Sequence, residues 1–178
     1  METAKFIRRF PDNRRNMALL EILTNQNPVL RKTSKPVAKV TKKIKELIAN
    51  MEETLMAAPG IGLAAPQVGE LLRIIIADTG EGLHVLINPK IVKKSGAQTF
   101  VEGCLSLPGI EGPVERSSKV VVKAIDLKGK QIEVEAEGLL ATVFQHEIDH
   151  LDGKLFVDKV ADPNLITYKP KTPKEEAL

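Results

Sequence analysis

Gly138-Leu139-Leu140-Ala141-Thr142-Val143-Phe144-Gln145-His146-Glu147-Ile148-Asp149-His150-Leu151-Asp152 is the stretch on which the fold turns. Leu139, Val143, His146 and His150 recur at three- and four-residue steps, and Leu140, Phe144, Ile148 and Leu151 form a second stripe beside them. That period is helical, and a helix apolar on two faces is a buried one. Yet this helix carries His146, Glu147 and His150, whose burial is costly unless each finds a partner. Two histidines at i and i+4 project from one side of a helix, where two imidazoles can hold one metal ion. Glu147 sits one residue along, close enough to reach a water beside that ion without ligating it. The alternative, a charged patch with incidental histidines, fits poorly with so apolar a helix.

Two imidazoles are too few, so a third ligand is needed. In the pattern H-E-x-x-H-x-x-G-x-x-H it would fall at Phe156, which cannot bind metal, although Gly153 fills the glycine position. A glutamate on a following helix would have to be Glu175 or Glu176, which lie in a stretch broken by Pro170 and Pro173. His84, beside Gly82 in a strand candidate, reads as a satisfied or exposed histidine. Cys104 is the better candidate, in Glu102-Gly103-Cys104-Leu105-Ser106-Leu107-Pro108-Gly109, where Gly103 lets backbone approach another group. A lone cysteine is ordinarily a small buried hydrophobe; here that reading competes with a two-histidine helix lacking a partner. A thiolate plus two imidazoles leaves a fourth tetrahedral position open to water, and a thiolate suits iron(II) or zinc over magnesium or calcium.

Around these segments lies a chain of 178 residues, 43% hydrophobic, enough for one compact domain with a real core. No apolar run approaches the roughly 20 residues that cross a bilayer, and Met1 to Asn16 lacks the apolar stretch of a secretory leader. A single cysteine excludes an internal disulfide framework, and the absence of Trp with only one Tyr argues against an aromatic platform for nucleic acid. Residues 1–16 hold five basic and two acidic side chains, so the formal net charge of +3 belongs to this segment and the remainder is neutral. We read 1–16 as a flexible basic tail, 17–168 as the folded domain and 169–178 as a short Pro-broken tail. An amphipathic helix is expected from Lys39 to about Ala57, with Val40, Ile44, Leu47, Ile48, Met51 and Leu55 on its dry side. Pro59 to Gln67 is too rich in Gly and Pro for a regular element. Strands are expected at Leu72–Asp78, Leu83–Asn88, Ile91–Lys93 and Thr99–Val101, and a hairpin at Val120–Asp126 and Gln131–Ala136 around Lys128-Gly129.

Three stretches in this order, GIGLAAPQ (60–67), EGCLS (102–106) and QHEIDHLDG (145–153), resemble the signature motifs of peptide deformylases. The resemblance covers most of residues 17–160. It implies an α+β fold, with antiparallel sheets around a central helix bearing the HExxH motif and an amphipathic helix nearer the N-terminus. It implies removal of the formyl group from the N-terminal formyl-methionine of new proteins. Cys104, His146 and His150 would hold the metal, Fe2+ first, with Zn2+, Ni2+ or Co2+ as alternatives. Glu147 would move the water's proton, and the Gln67 side chain and Leu105 backbone N–H would stabilise the oxyanion. Ile61 and Gly103 would pair with the substrate as an added strand, Gly62 would keep that wall low, and Leu139 and Val143 would line the methionine pocket. Glu102 and Arg116 match a family ion pair that fixes the cysteine loop, a plain surface pair being the alternative. Implied partners are formyl-Met nascent peptides and the ribosome, with no DNA and no membrane, in the bacterial cytoplasm or, alternatively, a eukaryotic organelle. The Arg-rich start could serve as an organellar targeting peptide, while Met17-Ala18-Leu19 resembles where many deformylases begin. Two rival functions stand beside this one: a zinc peptidase cutting internal amide bonds, which lacks its third His or Glu, and a non-catalytic domain, which would not need Glu147, Gln67 and Cys104 together.

Overall fold

A computed structural model describes residues 18–24 and 26–168; the tails expected at 1–16 and 169–178, and the start at Met17, lie outside the described residues. Helix α1 spans Lys42–Ala57. It begins three residues later than its apolar period suggests because Thr41 caps it, its Oγ1 accepting from Ile44 N at 3.4 Å. Ile48, Met51 and Leu55 face inward, as the period requires.

Gly62–Ala64 forms a short strand, β1, so the Gly- and Pro-rich stretch is more regular than the sequence suggests. The physical reason is its partner. Gly62, Leu63 and Ala64 pair antiparallel with Ala77, Ile76 and Ile75 of β2 (Ile74–Ala77), a strand buried along its whole length. A single 3-10 turn, Ala65–Val68, follows. β3 (His84–Ser95) is one long strand where two are expected. Pro89 and Asn88, at φ 53°, break the ladder between Ile87 and Lys90 without ending it. β4 (Gln98–Cys104) and β5 (Leu107–Arg116) are joined by a two-residue turn, Leu105–Ser106. Two Pro and two Gly hide β5 in the sequence; Pro108 and Pro113 lie outside the two positions, Ile110 and Glu111, where β5 also pairs with β8 (Thr167–Tyr168). β6 (Lys119–Ile125) and β7 (Gln131–Glu137) form the expected hairpin.

The architecture is mixed α+β, with a five-stranded antiparallel sheet ordered β1-β2-β3-β6-β7 and a three-stranded antiparallel sheet ordered β4-β5-β8. Helix α2 (Gly138–Leu151) packs against β1, β2, β6 and β7, and ten of its fourteen residues are buried. Phe144, Ile148 and Leu151 share a core with Ile75, Leu86 and Val122. Past the helix, Gly153 at φ 71° turns the chain hard against Arg31, whose carbonyl oxygen would lie 2.5 Å from any added Cβ. No helix among the described residues is long and apolar enough to cross a membrane.

Candidate metal centre and cleft

α2 carries His146 and His150 one turn apart, and the end of β4 brings Cys104 to them. The Cys104 Sγ lies 3.2 Å from His150 Nε2, and one ligand atom from each of the three residues lies within 4.8 Å of the others. Phe156, at the position where another metalloenzyme pattern needs histidine, stacks on the His146 ring at 6.1 Å between centroids.

Neighbouring groups set the protonation of these candidate donors. His146 Nδ1 is 2.8 Å from Glu102 Oε2. Burial alone would raise the Glu102 carboxyl, but hydrogen bonds from Arg116 and His146 hold it below its usual range. An ionised Glu102 accepts a hydrogen bond from Nδ1–H, which would leave Nε2 as the atom to meet a metal. Against the effect of burial, hydrogen bonds with Cys104 and Glu102 hold His146 well above its ordinary value, whereas burial, together with the resulting charge of His146 and that of Arg116, pushes His150 well below, so the His150 imidazole is neutral. Burial pushes the Glu147 carboxyl up to about 7. Glu147 Oε2 and His150 Nδ1 are buried without a hydrogen-bond partner among the described residues, and unpaired buried atoms of this kind are rare away from functional sites. Two imidazoles and a thiol that converge on one point, beside a carboxyl with a spare oxygen, fit a bound divalent metal and a water.

A cleft of about 610 Å³ opens over this centre. Ile61, Gly62, Gly103, Leu105, Leu139 and Val143 all line it with Gln67, Cys104, His146 and Glu147, so the structure brings the sequence-predicted site residues other than His150 to one cavity. Gln67 is buried at the cleft wall, 1% exposed. Its Oε1 accepts from Ala64 N at 2.8 Å, so the amide nitrogen is the end that faces Ser106 Oγ at 3.2 Å and Cys104 Sγ at 3.5 Å. Leu139 is 43% exposed at the mouth and therefore not a core residue, whereas Val143 is 6% exposed. Glu102 and Arg116 are each only 6% exposed, which removes the surface-pair alternative and extends the pair's reach from the cysteine loop to His146.

Some contributors escape the sequence. Ser106 orients Gln67, Ile22 and Thr24 form part of the cleft wall, and Leu23 N donates to Gln67 O at 2.7 Å. Only Ser106, inside the EGCLS stretch, was hinted at by the sequence.

The polypeptide deformylase family model matches residues 19–165. A peptide deformylase of Halothermothrix orenii is 55% identical over 146 residues, covering 81% of this chain and 95% of that protein. The crystal structure of a peptide deformylase from Legionella pneumophila superposes with a TM-score of 0.79 at 46% identity, covering 81% of this chain and 87% of that one. A peptide deformylase from Acinetobacter baumannii, solved with Met-Ala-Ser bound, gives a TM-score of 0.77 at 31% identity over 82% of this chain and all of that one. With site geometry, family model and near full-length relatives in agreement, the chain belongs to the polypeptide deformylase family, hydrolases that remove the N-terminal formyl group from newly made proteins.

Proposed function

We propose that Cys104, His146 and His150 hold one divalent metal, iron(II) in first place with zinc, nickel or cobalt as alternatives, and that this site hydrolyses the formamide of formyl-methionine on nascent peptides. The observation that carries the reading is the convergence of the three donors beside the unpaired Oε2 of Glu147. When bound, the metal supplies Lewis acidity that polarises a carbonyl and acidifies water.

The chain's own groups do the rest. Glu147, poised near neutrality, takes the attacking water's proton on its carboxylate and hands it to the leaving amine. As the formyl carbon becomes tetrahedral, Gln67 Nε2 and the Leu105 N–H donate to its oxygen; one such donor is typically worth about 3 kcal/mol of barrier. β1 and β4 are each at the edge of their sheet and both border the cleft, so a peptide can lie between them as an added strand. The Ile61 carbonyl already accepts from Asp78 N at 2.9 Å, so the group of Ile61 that would meet substrate is its N–H. A Cβ on Gly103 would make only ordinary contacts, the nearest with Glu111 Cγ at 3.6 Å. The protein's own packing therefore does not need glycine there, whereas close approach of a substrate strand does. Leu139 and Val143 form the wall against which a methionine side chain packs. The Met-Ala-Ser bound to the Acinetobacter baumannii relative is the kind of peptide that this reaction would release. α2 acts as the central scaffold of the site, residues 17–168 form the catalytic domain, and nascent chains are met as they leave ribosomes in a bacterial cytoplasm.

The test is hydrolysis of formyl-Met-Ala-Ser by protein purified without oxygen, with metal content measured in parallel. Release of formate with one metal per chain is expected. Cleavage of internal amide bonds would instead support a peptidase, and metal binding without either activity a non-catalytic domain. A thiolate beside a redox-active ion is open to oxidation, so air is expected to inactivate the iron form quickly and the zinc or nickel form slowly. Equal air stability of all forms would argue against Cys104 as ligand or iron as the metal.

Residues 1–16 are dispensable in this reading. Ala18 N already donates to Asn50 Oδ1 at 3.1 Å and Leu20 N to Thr54 Oγ1 at 2.9 Å, so anchoring to α1 is in place from Ala18 onward. A chain begun at Met17 is expected to match full length in Tm and turnover. A drop of several degrees would place the tail on the domain, and unchanged stability with lost turnover would place it at the cleft.

A further inference from the structure

We infer that Asp149 is a positioning residue for the metal site: through Arg116 it fixes the gap between α2, which carries the two histidines, and β4, which carries the cysteine. The inference rests on Cys104, His146 and His150 being the ligands. Those ligands come from two elements that belong to different layers, so the distance between the elements sets the distance between the donors.

The Arg116 guanidinium bridges that distance. On one side its Nε and Nη2 bind both oxygens of Glu102, on β4, at 2.5 and 2.9 Å. On the other its Nη1 binds Asp149 Oδ2, on α2, at 2.7 Å. Glu102 closes the loop by accepting from His146 Nδ1. The Arg116 side chain is 4% exposed and that of Asp149 15%, so the pair is shielded enough to hold geometry. A guanidinium has a rigid planar fork, so bonds from two of its edges transmit position, which a lysine's flexible stem would not. Without Asp149, only the single His146–Glu102 hydrogen bond ties the helix to the cysteine strand through this network.

Nothing in the helix itself accounts for Asp149. It lies in the last turn of α2, where a carboxylate meets the negative end of the helix dipole and is locally unfavourable. With a neutral side chain at 149, Arg116 keeps its two bonds to Glu102 and its charge stays paired, while Lys159, 3.5 Å from Asp149 Oδ1, is exposed enough to be solvated. A purely structural carboxylate and a positioning one therefore predict different outcomes for its removal.

The probe is Co2+ added to apo-protein, with affinity measured against a competing chelator and the cobalt–thiolate band recorded. Groups that orient metal ligands typically cost 10–100-fold in affinity when lost. Asp149→Asn is expected to weaken cobalt binding about tenfold and shift the band, with no loss of Tm in the apo-protein. Asp152→Asn removes a neighbouring carboxylate paired with Arg73 at 2.7 Å and is expected to bind within twofold of wild type. Asp149→Asn within twofold of wild type, or equal losses in the two variants, would overturn the proposal. If Asp149→Asn does not fold, Asp149→Glu carries the test, because it keeps the charge but lengthens the strut; unchanged affinity and band would then be decisive against us. Cys104→Ser separates the two levels. If it leaves cobalt affinity intact, the ligand set is wrong; if it weakens binding while Asp149→Asn does not, only the strut is wrong.

Discussion

Glu147→Gln is expected to lower turnover of a formyl-Met peptide by about 10²–10⁴-fold, the usual contribution of a positioned general base. The metal content should not change, because glutamine is nearly isosteric and the donors of Cys104, His146 and His150 are untouched. A second consequence runs the other way and comes from burial. The Glu147 carboxyl is pushed from 4.5 up to about 7 by desolvation, against the favourable charge of His146. A carboxyl raised in the folded state binds its proton more tightly there than in the unfolded chain, so it takes stability away as pH rises. The loss is absent below about pH 4.5, grows to about pH 7 and is then constant, on the order of 3 kcal/mol. Glutamine never ionises. The metal-free variant should therefore melt higher than metal-free wild type at pH 8, and the two should converge near pH 4.5. Near-normal turnover, or loss of the metal, would sink the role given to Glu147. A variant that melts lower at pH 8 would show that the buried carboxylate is better solvated than its surroundings suggest.

What the sequence made legible follows the range of each interaction. The i, i+4 histidines lie on one helix, so their convergence is a local fact, and the period of α2 carries it. Cys104 is 46 residues from His150 and reached the ligand set only by elimination and by resemblance. The strands were legible where apolar residues alternate, as in β6 and β7, and hidden where Pro and Gly break the pattern, as in β5. β1 was invisible because its order comes from β2, twelve residues further along, rather than from its own composition. The same holds for chemistry. Glu102 read as part of the cysteine loop, and its bond to His146 crosses 44 residues from strand to helix. Asp149 drew no assignment from the sequence, since nothing local announces Arg116 across 33 residues. Sequence thus exposed the candidate ligands, the candidate base and the Glu102–Arg116 pair, and left out the bonds from that pair to His146 and Asp149 on the helix.

Gly62→Ala is expected to cost about 100-fold in turnover while the metal stays bound. A Cβ at residue 62 would lie 2.4 Å from Glu147 Oε1, 2.9 Å from Glu147 Cδ and 2.8 Å from Val143 Cγ1. None of these neighbours gives way easily: both side chains belong to buried positions on α2, and Gly62 itself is held by its pairing with Ala77. Overpacking of this kind costs typically 1–3 kcal/mol of stability, and displacing a catalytic group by about 1 Å costs about 100-fold in rate. Gly60 offers the contrast. Its added Cβ would meet only Leu105, with Cδ1 at 2.8 Å and Cγ at 3.0 Å, and none of the candidate catalytic side chains, so Gly60→Ala should perturb turnover far less. The decisive measurement is a double-mutant cycle. If Gly62 acts by leaving space for the Glu147 carboxylate, then adding Gly62→Ala to Glu147→Gln should lower turnover little further, because the base is already gone. Full additivity of the two losses would mean that Gly62 serves substrate approach alone, and turnover of Gly62→Ala within about threefold of wild type would mean that the carboxylate tolerates displacement.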